Sequence, residues 1–100
     1  MASVLRLNDD DNVVIALRPL SQGEMVEKNG LTIAIRSAIP VGHKVAINRI
    51  PNGEPVIKFG QIIGYASEDI QPGEHVHIQN VIDPVKNWKT QHPLTRDERK

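Results

Sequence analysis

Residues 70–80 read IQPGEHVHIQN. In its second half, Val76 and Ile78 alternate with His75, His77 and Gln79, the period of two expected when successive side chains leave a strand on opposite faces. Just ahead lies Pro72-Gly73, a turn dipeptide. The stretch is therefore a corner that feeds a strand, and the same design occurs three more times. LSQGEMV (20–26), IPVGHKV (39–45), IPNGEPV (50–56) and IQPGEHV (70–76) each place an aliphatic residue three before a glycine and a valine three after it. The aliphatic residue ends one strand, the glycine takes a positive-φ turn, and the valine re-enters the core. The glycines are 19, 11 and 20 residues apart, too uneven for a stacked solenoid. The pattern predicts a compact fold whose chain makes one kind of corner four times.

The rest of the chain agrees. VVIALRPL, LTIAIRSAI, HKVAINRI and PVIKFGQIIGYA are rich in β-branched residues, with hydrophobicity recurring at period two and not 3.6. Asn29-Gly30 and Asn52-Gly53 add turns. No window carries the 3.6-residue period of an amphipathic helix, and the seven prolines and seven glycines spread along the chain oppose one. The expectation is an all-β domain of short strands over residues 1–82. Beyond it, DPVKNWKTQHPLTRDERK (83–100) reads as a polar tail or linker anchored by Trp88 alone.

Composition narrows the functional classes. Lys plus Arg equals Asp plus Glu at 12 each, so no net field gathers nucleic acid or an anionic membrane. With no cysteine there is neither a disulfide nor a thiolate site, which suits a reducing compartment. No stretch is apolar enough to span a bilayer, and the N-terminus does not read as a signal peptide. A cytoplasmic protein without nucleic-acid or membrane partners is expected.

The corners also show where chemistry can sit. The residue after the glycine is Glu24, Glu54 and Glu74 in three of them but His43 in the second, and the next residue is Met25, Lys44, Pro55 or His75. His75 and His77, two apart on a strand, face the same way and can hold one divalent metal or one anion jointly; equally, that face can be open to water. His43 is either a functional group or a hydrogen-bonded histidine at the core edge. Alternation sets it with Val45 and Ile47, and sets Lys44 with Ala46 and Asn48. Lys58 interrupts an apolar strand, so its stem either snorkels at the sheet edge or reaches a pocket holding a carboxylate. The glycines of Phe59-Gly60 and Ile63-Gly64 read as packing devices. Asp9-Asp10-Asp11 lacks the later ligands of a calcium loop and reads as a solvated turn. Phosphate-cradling loops, dinucleotide fingerprints and nucleophile elbows are absent.

DNVVIAL, IPVGHKVAI, PVIKFGQIIGYA and IQPGEHVHIQN, in this order and spacing, resemble the SAF domain of the altronate/galactarate dehydratase family. The resemblance covers residues 5 to 82. It implies a β-clip fold and a part in a metal-dependent hydro-lyase that dehydrates small sugar acids, with iron(II), manganese or magnesium as the metal. The family's large catalytic portion is not in this chain, so the resemblance implies a large catalytic subunit or domain as partner, holding most of the metal's ligands. On that reading the isolated chain is inactive and can form homo-oligomers. A related arrangement is the small subunit of a sulfolactate sulfo-lyase. A third possibility, from another class, is a non-catalytic carbohydrate-binding or assembly module. Carried onto this sequence, His43, His75 and His77 are acid/base groups, and His75 and His77 are also metal-facing. Lys44, Lys58 and Asn80 contact the substrate acid, and Glu74, with Asn80, orients its neighbours.

Overall fold

A computed structural model describes residues 3–82, and the predicted tail at 83–100 lies outside the described residues. The described chain is all-β, as the periodicity requires. Strands β1 (Val4–Leu5), β2 (Val13–Ala16), β5 (Lys44–Ala46) and β8 (His75–Val76) form an antiparallel sheet in the order β1-β2-β5-β8. A hairpin of β3 (Met25–Lys28) and β4 (Leu31–Ala34) leaves between β2 and β5. A second hairpin, β6 (Pro55–Lys58) with β7 (Gln61–Ala66), leaves between β5 and β8 and is extended by β9 (Val81–Ile82).

The four corners are built alike. Gly23, Gly42, Gly53 and Gly73 all have φ between 86° and 90°. Their N–H groups donate to the carbonyls of Ile35, Ala16, Ala66 and Ala46, and those same residues donate back to the carbonyls of Glu24, His43, Glu54 and Glu74. The aliphatic residues that open the corners pair as well: Leu20 exchanges both backbone hydrogen bonds with Ile39, and Ile50 with Ile70. At Gly73 a positive φ is only half the demand, because a Cβ there would collide with the carbonyl oxygen of Ala34.

These correspondences expose a doubling that the corner spacings conceal. Positions 16, 20, 23 and 26 recur as 46, 50, 53 and 56, and positions 39, 42 and 45 as 70, 73 and 76. The one-residue slip falls at the bulge where Val56 faces Gly64 but Ile57 faces Ile62, leaving Ile63 as the extra residue. The two hairpins turn alike, through Asn29-Gly30 and Phe59-Gly60, with φ of 50° and 84° in the first and 54° and 77° in the second. Phe59-Gly60 is thus a hairpin turn, not merely a packing device. Gly64 does serve close packing, with Val81 and the Ile82 carbonyl where a Cβ would stand.

The central strands are buried on both faces, which explains why VVIA and KVA lack clean alternation. Val14, Ala16, Val45 and Ile47 join Val26 and Ile33 of the first hairpin in one core. Val13, Ala46 and Val76 join Val56 and Ala66 of the second in another. The β2–β5 pair is the partition between them.

The acidic run at 9–11 divides. Asp9 and Asp10 are exposed, but Asp11 is 1% accessible and accepts N–H groups from Gly60 at 2.7 Å and Asn8 at 3.3 Å. Next to it, Asn12 occupies the edge of β6, accepting the Ile57 N–H and donating to the Pro55 carbonyl. The loop before β2 is thereby fastened to the second hairpin. Burial works to raise the Asp11 pKa, but the backbone N–H donors together outweigh it and hold the carboxyl below its ordinary value. A carboxyl depressed in the folded state gives stability that is present above its unfolded pKa, about 3.9, and is lost as pH falls through the folded one. Asp11→Asn is expected to cost about 1–3 kcal/mol at neutral pH through weakened pairing of buried N–H groups. It should also flatten the acid side of the stability curve below about pH 4. Urea unfolding across a pH series measures both; an unchanged acid limb would contradict the assignment.

Candidate functional site

The three imidazoles meet. His43 immediately precedes β5, His75 opens β8 and His77 follows it. Val45 pairs with His75 and Lys44 with Val76, so the next step along the ladder sets His43 opposite His77. The ring centroids of His43 and His77 are 4.4 Å apart, those of His43 and His75 5.1 Å, and those of His75 and His77 5.3 Å. The His43 Nδ1 lies 2.9 Å from the His75 Nε2, a hydrogen bond between rings. One nitrogen from each ring lies within 4.8 Å of the others. All three side chains are half-buried, and the His77 Nδ1 is buried with no hydrogen-bond partner.

Burial lowers the pKa of both His75 and His77, because it penalises the imidazolium. His43 and Lys44 push both further the same way, and His77 adds to the effect on His75. A face that favours neutral rings keeps ring lone pairs free to act as acceptors or ligands.

The residues around the rings hold them in place. Asn80 is 4% accessible, and its side chain closes the turn after β8 from both sides. The Oδ1 accepts the His77 N–H at 2.9 Å, and the Nδ2 donates to the His75 carbonyl at 2.8 Å. Asn80 therefore positions the backbone that carries two of the imidazoles. Gln79, which sequence reasoning placed on the histidine face without giving it a role, brings its Nε2 to 3.4 Å from the His75 Nδ1. The signal was there in the alternation of EHVHIQN. Glu74 does not reach the rings by hydrogen bond; its carboxylate accepts the Gln71 N–H and closes its own corner, as Glu24 does with Ser21.

Lys44 leaves β5 on the face opposite the imidazoles, although its charge still reaches His75 and His77. Alternation along β5 sends Lys44 to the side opposite His43, where its strand partners are Ile15 and Val76. Burial first, and then the charge of Lys58, hold the Lys44 ammonium below its ordinary pKa. Lys58 ends β6 with its Nζ 5.2 Å from the centroid of Phe59, a cation–π contact. Among the described residues the ion pairs are Arg18–Glu24 and Arg49–Asp69, and neither involves these lysines. The arrangement has two parts: an imidazole cluster on one side of β5, and on the other the Lys44 ammonium, which feels the charge of Lys58.

A small all-β domain is consistent with an SAF-like fold. The chain belongs to the altronate/galactarate dehydratase SAF domain family, whose model matches residues 2–84. It is similar to an altronate dehydratase of Bacillus subtilis (strain 168), 39% identical over 80 residues, which are 80% of this chain and 16% of the relative. To an altronate dehydratase of Escherichia coli (strain K12) it is 41% identical over 76 residues, or 76% of this chain and 15% of the relative. The alpha subunit of a (2R)-sulfolactate sulfo-lyase from Chromohalobacter salexigens is 35% identical over 86 residues, 80% of this chain and 89% of that subunit. The chain thus spans a small fraction of the dehydratases and nearly all of the sulfo-lyase subunit.

Asn80→Ala removes two hydrogen bonds from a buried turn and is expected to destabilise the chain by about 2 kcal/mol. Asn80→Asp keeps the acceptor for His77 but turns a carboxylate toward the His75 carbonyl, and should cost at least as much. Urea unfolding of both variants decides; a loss below about 0.5 kcal/mol would be a surface residue's response and would contradict the clamp.

Proposed function

We propose that the chain is the small domain or subunit of a lyase acting on a small hydroxy acid, with its reacting centre completed by a large catalytic domain or subunit. The observation that carries this reading is the meeting of His43, His75 and His77 in a chain whose family is that of the dehydratase SAF domain. Two exposed apolar residues support a covering partner. Val41 is 57% accessible two residues before His43, and Ile78 is 82% accessible immediately after His77. Exposed apolar side chains adjoining a polar cluster in the chain are what a partner can bury.

Elimination from a hydroxy acid removes the proton α to a carboxylate, stabilises the enediolate, and expels the β-substituent. A divalent metal, when bound, supplies Lewis-acid stabilisation of that enediolate. The chain's own part is to present neutral imidazoles whose backbone is fixed by Asn80, and to exclude water on the core side. Lys44 and Lys58 offer positive charge that no ion pair takes up among the described residues, which suits the acid group of a substrate held between this chain and its partner. In a sulfo-lyase version of this reading the leaving group is sulfite, and the 35% identity to a sulfo-lyase alpha subunit supports keeping it beside the dehydratase version.

Purification of the chain with a large dehydratase-like protein, then assay on altronate, galactarate and sulfolactate, tests the proposal. Activity is expected only in the complex. His75→Ala and His77→Ala should each lower it by at least about 100-fold, the scale of a lost proton-transfer or ligand group, while the complex still assembles. Turnover by the isolated chain, or full activity of both variants, would overturn it.

A further inference from the structure

We infer that His43, His75 and His77 form a three-nitrogen site for a first-row divalent transition ion, and that this chain binds the ion by itself. This goes beyond the lyase reading and stands without it. The two strands that supply the ligands are joined by the sheet's own hydrogen bonds, so the site exists before any partner arrives.

Three observations converge. The first is reach. Two nitrogens bound to one ion at about 2.1 Å lie about 3–3.4 Å apart. The His43–His75 pair is already at 2.9 Å, and all three nitrogens fall within 4.8 Å, a gap that small rotations of the rings close. The second is the unpaired atom. The one ring-to-ring hydrogen bond serves His43 and His75, but the buried His77 Nδ1 has no partner. A buried polar atom left unpaired costs about 1–3 kcal/mol, and an ion shared by the three rings relieves it. The third is the missing counter-charge. Among the described residues no carboxylate makes a hydrogen bond or ion pair with the cluster, and the neighbouring Glu74 is engaged with Gln71. Three ring nitrogens gathered without an anion among them suit a cation that takes lone pairs.

The donor set also chooses the ion. Imidazole nitrogen favours zinc, cobalt, nickel, copper and iron(II), whereas magnesium and calcium require oxygen. Three protein ligands leave coordination positions open, as catalytic sites do and closed structural sites do not. Asn80, through the backbone of His75 and His77, and Gln79, beside the His75 Nδ1, supply the support that keeps ligating rings aimed.

The test uses the full chain without a partner. Isothermal titration with Zn2+ and Co2+ should give one ion per chain, with the visible absorption of a nitrogen-ligated cobalt site, and Mg2+ should give no saturable binding. His43→Ala, His75→Ala and His77→Ala should each weaken Zn2+ binding by at least about tenfold. Matching His→Asn variants serve wherever circular dichroism shows that an alanine form has not folded. His92→Ala should bind as the parent does. Zn2+ affinity unchanged in the triple variant, dependence on His92 instead, or Mg2+ bound as tightly as Zn2+ would each overturn the assignment. Because the readout is binding, its failure is separate from any failure of lyase activity in the complex.

Discussion

The reciprocal backbone exchange at the glycine corners is the interaction on which the rest of this structure depends. At the fourth corner, Gly73 donates to Ala46 while Ala46 donates to Glu74. That pair of hydrogen bonds lays the end of the corner against the end of β5 and leaves β8 one possible register. Val45 then faces His75, Lys44 faces Val76, and His43 falls opposite His77. The second corner does the same with Ala16, Gly42 and His43, and so fixes where β5 begins. Side-chain chemistry at the site is a consequence of main-chain bonding at two glycines.

The doubled architecture explains why the site lies where it does. Each half contributes a hairpin and its own core, and β5 belongs to both. Under the correspondence of the halves, the pair His43–His77 matches Val13–Ala46, which is sealed between β2 and β5 under the second hairpin. On the other side of β5 the neighbour is β8, the last strand of its sheet, so the matching pair is half open to solvent. The same backbone position that holds a dry aliphatic contact in one copy holds imidazoles in the other. Polar groups are tolerated there because water or a partner can reach them, and Asn80 supplies the backbone satisfaction that a further strand would otherwise give.

Much of this was legible beforehand. The aliphatic–glycine–valine spacing gave the corners and the all-β class because positive φ and period-two burial leave direct marks on residue type. The family resemblance rested on DNVVIAL, IPVGHKVAI, PVIKFGQIIGYA and IQPGEHVHIQN taken together, and it holds. The meeting of His43 with His75 and His77 was only suggested, since equivalence of two corners does not make them neighbours; their contact arises from β5 being shared, which is a matter of tertiary pairing. For the same reason the separation of Lys44 from the rings follows from strand parity, whereas its approach to Lys58 does not. The burial of Asp11 was missed because its shorter hydrogen bond comes from the backbone N–H of Gly60, far along the chain, which carries no signature in a side-chain pattern. The second hairpin turn was missed because Phe59 occupies a left-handed position where Asn29 stands in the first.

The claim that β5 and β8 bring positions 43 and 77 face to face can be read by chemical cross-linking, because the chain has no cysteine of its own. Directly paired strand residues have Cα atoms about 4.5–5.5 Å apart, within the span a disulfide bridges. The double variant His43→Cys/His77→Cys, oxidised at low protein concentration, should form a disulfide within one chain, seen as loss of both free thiols in a monomer. Two thiols that stay free, or that join only between molecules, would contradict the register from which the site is built.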